Sequence, residues 1–165
     1  MHNSIYLQVE GVTGEAMDAG HQGWIDVLTF EWHIKQPTEN TVGGGGGCGR
    51  LVVKDLLVYA RLDKAMPTMM TMAAEGRALG EVVLSMDKAG GKQNEFLNIS
   101  LKNVIISAIE LAPGQRAEGG ATDGQIGVLY RFSPSKLEVK YSAQSEAGQS
   151  SAPVTFTWDV KSNTQ

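Results

Sequence analysis

The chain has 165 residues, with 14 Lys and Arg against 18 Asp and Glu, one cysteine, a formal net charge of -4 and a pI near 5.3. That length predicts one domain over residues 1–165 with a sizeable core, and the acidic balance without a basic block argues against nucleic acid, whose phosphates need clustered positive charge. One cysteine excludes an intramolecular disulfide and a cysteine zinc cluster; no signal-peptide pattern in MHNSIYLQVEGV and no run of membrane-span length set the expectation of a protein folded in the cytoplasm, without membrane insertion.

Alternation of apolar and polar residues, the mark of a strand with one buried face, recurs along the chain. Ser4 to Val12 alternates Ile5, Leu7 and Val9 with Tyr6, Gln8 and Glu10. Trp24 to Lys35 places Trp24, Leu28, Phe30, Trp32 and Ile34 on one face, with Asp26 the polar intruder. The run TVGGGGGCGRL follows at Thr41 to Leu51. Leu51 to Leu62 groups Val52, Leu56, Val58, Ala60 and Leu62 against Asp55, Tyr59 and Arg61. Met66 to Arg77 reads as the one helix: Pro67 suits a first turn, Gly76 marks the end, and Met66, Met69, Met70 and Met72 read as core packing. Glu81 to Lys88, Leu97 to Leu111 and Leu129 to Tyr141 follow as strands, with Pro134 demoting part of the last to an edge or bulge. Val154 to Val160 closes the series, Val154, Phe156, Trp158 and Val160 alternating with threonines and Asp159. Turn-rich loops are expected at Ala89 to Lys92, Pro113 to Gly124 and Ala147 to Pro153. The pattern makes a β-barrel or a sandwich the natural architecture.

The glycine run fits phosphate-binding registers cheaply: Gly44 and Gly49 match the ends of GxxxxGK[ST], and Gly44, Gly46 and Gly49 match GxGxxG. A phosphate loop needs a lysine, a hydroxyl and a following helix. Here Arg50 and Leu51 hold those positions and the alternating VVKDLLVYA follows, so nucleotide binding is not expected. His2, His21 and His33 do not cluster, and no HxH, HExxH or histidine–carboxylate pair of ligand spacing is recognised. Glu15 with Asp18, and Glu31, read as solvated surface. No GxSxG elbow is present. No metal, cofactor or catalytic residue is expected.

In order, Gly14-Glu15, Asp18, His21, Ile25-Asp26-Val27-Leu28, Phe30-Glu31-Trp32, Gly43 to Gly47 with Gly49-Arg50, Val53-Lys54-Asp55-Leu56, Asp63-Lys64, Pro67, Met69-Met70, Lys88-Ala89-Gly90-Gly91 and Phe156-Thr157-Trp158-Asp159 run through nearly the whole chain. That series resembles the haemolysin-coregulated protein (Hcp) family. The chain departs from many relatives at Met66, Ala74 and Asp87, and Gln115 to Pro134 is its least similar part.

The resemblance implies a mainly β fold: a single-domain barrel of antiparallel strands with one short α-helix and an extended glycine-rich loop. It implies a non-enzymatic type VI secretion protein without cofactor, whose hexameric rings stack into a tube. The tube's partners would be a contractile sheath, a spike protein and secreted effectors, and export would need no signal peptide. The loop would span Gln36 to Arg50, with Glu39, Gly43, Gly44, Gly45, Gly46, Gly47, Cys48, Gly49 and Arg50 meeting the next ring. Trp24, Ile25, Val27 and Leu28 would serve the protomer interface. A stand-alone barrel that binds a small ligand or acts as a hydrolase is the alternative.

Overall fold

The computed structural model describes residues 3–38, 49–88, 94–113, 126–144 and 151–165. Their chain order is β1 (Ser4–Val9), β2 (Ile25–Glu31), β3 (Ile34–Lys35), β4 (Val52–Val53), β5 (Leu56–Arg61), α1 (Ala65–Ala74), β6 (Leu79–Asp87), β7 (Glu95–Pro113), β8 (Ile126–Ser133), β9 (Lys136–Tyr141) and β10 (Val154–Asp159). The main sheet runs β10-β9-β7-β6-β1-β2-β5-β8, and a further β7–β8 pairing closes six of these strands into an antiparallel barrel. β9 and β10 stand outside the closure.

The 19-residue β7 makes this possible. Its first half pairs with β6 and β9 and its second half with β8, so β8 and β9 follow one another along it. Pro134 sits at their junction, where its missing N–H ends the ladder. Across from it, Asn103 takes a φ of 49°, Ser135 Oγ donates to Asn103 O at 2.9 Å, and Ser135 N–H donates to Lys102 O at 3.2 Å. The segment Leu129 to Tyr141 is therefore two strands serving two neighbourhoods.

The barrel is filled from every wall, by Leu7, Val9, Ile25, Leu56, Val58, Val82, Leu84, Leu101, Val104, Tyr130 and Phe132 among others. Helix α1 adds Ala65, Met69 and Met72 to the same core, while Met70 is exposed. The helix ends where expected: Gly76 takes a φ of 62°, its N–H donates to Ala73 O, and Arg77 N–H donates to Met72 O. This pair of bonds satisfies carbonyls the last turn leaves open, in a left-handed conformation that glycine adopts at least cost.

Two faces differ from the alternation read in the sequence. In β2 the buried residues are Ile25 and Val27, and the pairing register with β5 shifts between Val27 and Thr29. This bulge at Leu28 flips the parity, leaving Leu28 exposed and turning Phe30 and Trp32 toward the core. Asp26 is then no intruder, because it lies on the outer side before the bulge. In β5, Tyr59 is buried on the face opposite Val58 and Ala60, over a glycine: a Cβ at Gly127 would lie 2.4 Å from the Tyr59 ring.

Gly14-Glu15 and Asp63-Lys64, far apart in sequence, meet at the start of α1. Glu15 Oε2 accepts from Lys64 N–H at 2.9 Å, and Asp63 accepts from Ala65 N–H at 2.9 Å and Glu15 N–H at 3.1 Å. Acidic groups at this end satisfy open donors and complement the helix dipole. A Cβ at Gly14 would stand 2.3 Å from Trp24 O, so the approach requires glycine.

Candidate self-association surfaces and a buried polar cluster

The β9–β10 extension carries an apolar face continuous with the barrel core. Leu101, Ile99 and Leu97 of β7 lie opposite Leu137, Val139 and Tyr141 of β9, which lie opposite Trp158, Phe156 and Val154 of β10. Burial fades outward along each row. Leu101 and Leu137 are buried and Trp158 half-buried, whereas Tyr141 is 50 % exposed, Phe156 37 % and Val154 75 %. Phe156 and Trp158 stack with centroids 6.1 Å apart. Beyond β10, among the described residues, no strand takes up the outer edge.

The opposite face of the extension is polar. Lys140 reaches Glu138 at 3.0 Å, Lys136 reaches Asp159 at 3.8 Å, and Ser100 Oγ donates to Glu81 at 2.9 Å. A 400 Å³ groove runs along it, lined by Lys102, Glu138 and Thr157. The apolar stripe of Val154 to Val160 is thus a real strand face, but the barrel covers only its inner part.

Of the four residues expected at a protomer interface, Ile25 and Val27 belong to the barrel core. Trp24 is half-buried, edge-on to His21 at 4.7 Å, and Leu28 is 40 % exposed.

The residues flanking the glycine-rich segment form a two-stranded antiparallel ladder, Ile34 opposite Val53 and Lys35 opposite Val52. Trp32 Nε1–H donates to Lys54 O at 2.9 Å, and Gln36 Nε2–H donates to Gly49 O, closing the base. Arg50 is engaged within its own protomer: Nη2 donates to Val160 O at 2.7 Å and to Lys161 O, and Leu51 N–H donates to Asn163 at 3.2 Å. Glu39, Gly43 to Gly47 and Cys48 lie outside the described residues.

A polar cluster that sequence spacing did not disclose sits between the β1–β2 connection and the end of β6. Asp18 Oδ2 lies 2.7 Å from His21 Nδ1, Asp87 Oδ2 lies 3.9 Å from the same nitrogen, and Ser85 Oγ lies 3.2 Å from Nε2. Ser85 donates its hydroxyl proton to Glu95. Tyr6 stacks on the imidazole at 4.3 Å. Asp18 and His21 are three positions apart, an ordinary spacing, and His21 and Ser85 are 64 apart. Sequence spacing offered no histidine–carboxylate pair; the fold places His21 beside Asp18, and β1–β6 pairing brings Asp87 next to the loop that carries them.

Ser85, His21 and Asp18 have the order of a hydrolase triad. Ser85 is fully buried, however, and its proton faces Glu95 rather than the imidazole, so no substrate carbonyl reaches its oxygen. Burial pushes the Asp87 carboxyl above its ordinary value, His21 opposes this, and Glu95 and Asp18 add to the rise.

Comparisons with known proteins agree with this architecture. Residues 6–157 match the family model described as "Type VI secretion system effector, Hcp". The chain is 32 % identical over 163 residues to protein hcp1 of Pseudomonas aeruginosa, covering 98 % of this chain and 97 % of that one. Among solved structures, a type six secretion system protein superposes with a TM-score of 0.87 at 21 % identity, covering 98 % of each chain. Hcp1 from Salmonella typhimurium superposes with a TM-score of 0.73 at 24 % identity, covering 99 % of this chain and 98 % of that one.

Proposed function

The chain belongs to the Hcp family of the type VI secretion system, and from that premise we propose that it is a structural subunit of the secretion tube rather than an enzyme. Protomers close into hexameric rings, and the rings stack into a hollow tube inside a contractile sheath. A spike protein caps the tube and effectors travel with it. It assembles in the cytoplasm and leaves the cell when the sheath contracts.

The observation that carries this reading is the β9–β10 extension. A protomer with a complete core still exposes Tyr141, Phe156 and Val154 beside a strand edge that, among the described residues, no strand takes up. Contiguous apolar surface and an unpaired edge are features that isolated proteins avoid and interfaces use. A ring closed by rotation requires a second, different surface to receive this one. Leu28, turned outward by the β2 bulge, is the member of the expected interface set with most side chain to offer; Trp24 contributes its half-buried edge, and Ile25 and Val27 act through the core beneath.

The segment between β3 and β4 is the ring-stacking element. Its described base is tied by the Ile34–Val53 ladder and by Arg50, and the stacking role falls to Glu39, Gly43 to Gly47, Cys48 and Gly49 between these ties. Arg50 supports the stem instead of reaching across rings. Ordering five consecutive glycines costs more backbone entropy than ordering other residues, a cost borne by the stacked interface.

Electron microscopy of the purified chain tests both levels. The expected result is rings with a central hole, and shortening Gly43 to Gly47 is expected to preserve rings while shortening or abolishing tubes. Isolated globules from the intact chain would overturn the ring, and normal tubes from the shortened chain would overturn the stacking role.

A further inference from the structure

Two groups of exposed apolar side chains stand at opposite ends of β7. One is the β9–β10 face, where Leu97 opens the row Leu97–Tyr141–Val154. The other is at Leu111. Leu111 pairs with Val128, Val128 with Ala60 and Ala60 with Val27, so these four side chains share one face of the barrel wall. Val128 and Ala60 are fully buried and Val27 is buried, yet Leu111 is 52 % exposed. The core stops short of its own wall at this end of β7. On the next row outward of the same face Ile126 is 50 % exposed; Leu62, which follows the Arg61–Gly127 pair and so comes beside Ile126, is 41 % exposed. This far patch is continuous with Leu28, whose bulge adjoins the Val27–Ala60 pair.

The two groups match in size. The exposed fractions of Tyr141, Phe156 and Val154, and those of Leu62, Leu111 and Ile126, each amount to about one and a half whole side chains. At about 100 Å² per fully buried side chain, that is about 150 Å² of apolar surface on each. They do not cover one another within the protomer, since both are exposed in it. A stable contact between two proteins buries about 800 Å² on each partner, with its most apolar part at the centre. Either patch supplies such a centre but is too small to hold a pair by itself. A two-fold dimer would set the β10 face against its own copy and leave the far patch bare, whereas in a ring closed by rotation every protomer makes the contact twice, once with each patch.

We propose that the patch of Leu62, Leu111 and Ile126 receives the Val154, Phe156 and Tyr141 face of a second copy of this chain, an assignment that rests on the ring reading above. β7 then carries both halves of the contact, its first half behind the face that is given and its second half beside the face that receives. Because one contact is small and the closed ring doubles it for every protomer, assembly passes from single protomers to rings without a stable pair between.

Thiol cross-linking of the full-length chain tests this in a Cys48→Ser background, which removes the one native cysteine. Val154→Cys is combined in turn with Leu62→Cys, Leu111→Cys or Ile126→Cys and treated with a short bis-maleimide. At least one combination is expected to give a ladder on a denaturing gel that ends at six copies, and Val154→Cys alone is expected to give none. Rings by electron microscopy with no ladder from any combination overturn the receiving patch and leave the ring reading standing. Single protomers from the Cys48→Ser chain, under conditions where cross-linking is attempted, overturn the ring reading and this assignment with it. Covalent dimers from Val154→Cys alone mean that the β10 face meets its own copy, and overturn the head-to-tail contact. Leu111→Lys and Ile126→Lys in the unmodified chain read the same contact without cysteines. Each should lower the hexamer fraction at micromolar concentration at least 10-fold while leaving the melting of the free protomer unchanged, and undiminished hexamers in both overturn the proposal.

Discussion

Val154→Lys isolates the role of the β9–β10 extension, because Val154 is the most exposed residue of the apolar face and lies on a strand whose outer edge, among the described residues, no strand takes up. Fully burying a valine is worth about 2 kcal/mol, so the 75 % of it that remains exposed offers about 1.5 kcal/mol to a neighbour at each contact. Lysine at an edge strand is tolerated in a free protomer and discourages edge-to-edge association. The ammonium also resists desolvation, which adds to the loss. Six equivalent contacts close a hexamer, so the ring equilibrium should fall by about six orders of magnitude or more from the apolar term alone. Light scattering coupled to size exclusion at micromolar concentration reads this directly: near six times the 17.7 kDa protomer mass for the wild type, and near one for the variant. Thermal melting of a dilute, monomeric sample should change by no more than a surface substitution does, about 0.5 kcal/mol. An intact hexamer in Val154→Lys, with unchanged melting, would refute the assignment of this face to the ring contact.

Tyr130 tests the interior. Its hydroxyl is fully buried with no hydrogen-bond partner among the described residues, and burial, with Asp63 adding to it, pushes the phenol well above its ordinary pKa. Tyr130→Phe should therefore raise stability by about 1 kcal/mol in denaturant unfolding, since it removes an unpaired polar atom and keeps the ring; a loss of 1 kcal/mol or more would mean the hydroxyl has a partner. Asp159 tests the C-terminal turn. Backbone N–H donation from Ser162 first, with Lys161 and the charge of Lys136, holds its carboxyl below the usual aspartate value. A depressed folded pKa contributes stability that is present above the unfolded value and lost as pH falls through the lower folded one. In an NMR acid titration the Ser162 amide should shift with the Asp159 carboxyl, below the usual aspartate range. An Asp159→Asn chain with the same Ser162 profile would sink that coupling.

Much of the barrel was legible because a strand with one buried face must alternate. Ser4 to Val9 and Leu56 to Ala60 advertise themselves, and Pro67 and Gly76 bracket a helix whose N- and C-terminal chemistry is local. The ordered series from Gly14-Glu15 to Phe156-Thr157-Trp158-Asp159 carried the family for the same reason, being a property of the chain read in order. What alternation cannot report is which surface covers the apolar side. Val154, Phe156 and Trp158 alternate as cleanly as a core strand, yet the barrel closes between β7 and β8 and leaves them at its margin. Nor does it report parity through a bulge: one extra residue at Leu28 moved Ile25 and Val27 into the core and Asp26 out. Asp87 joined His21 only through β1–β6 pairing, across a separation at which sequence spacing carries no geometric information. Local periodicity determined the elements and the fold class; closure, register and the meeting of distant side chains were settled by long-range strand pairing, because only there do residues far apart in the chain share a position in space.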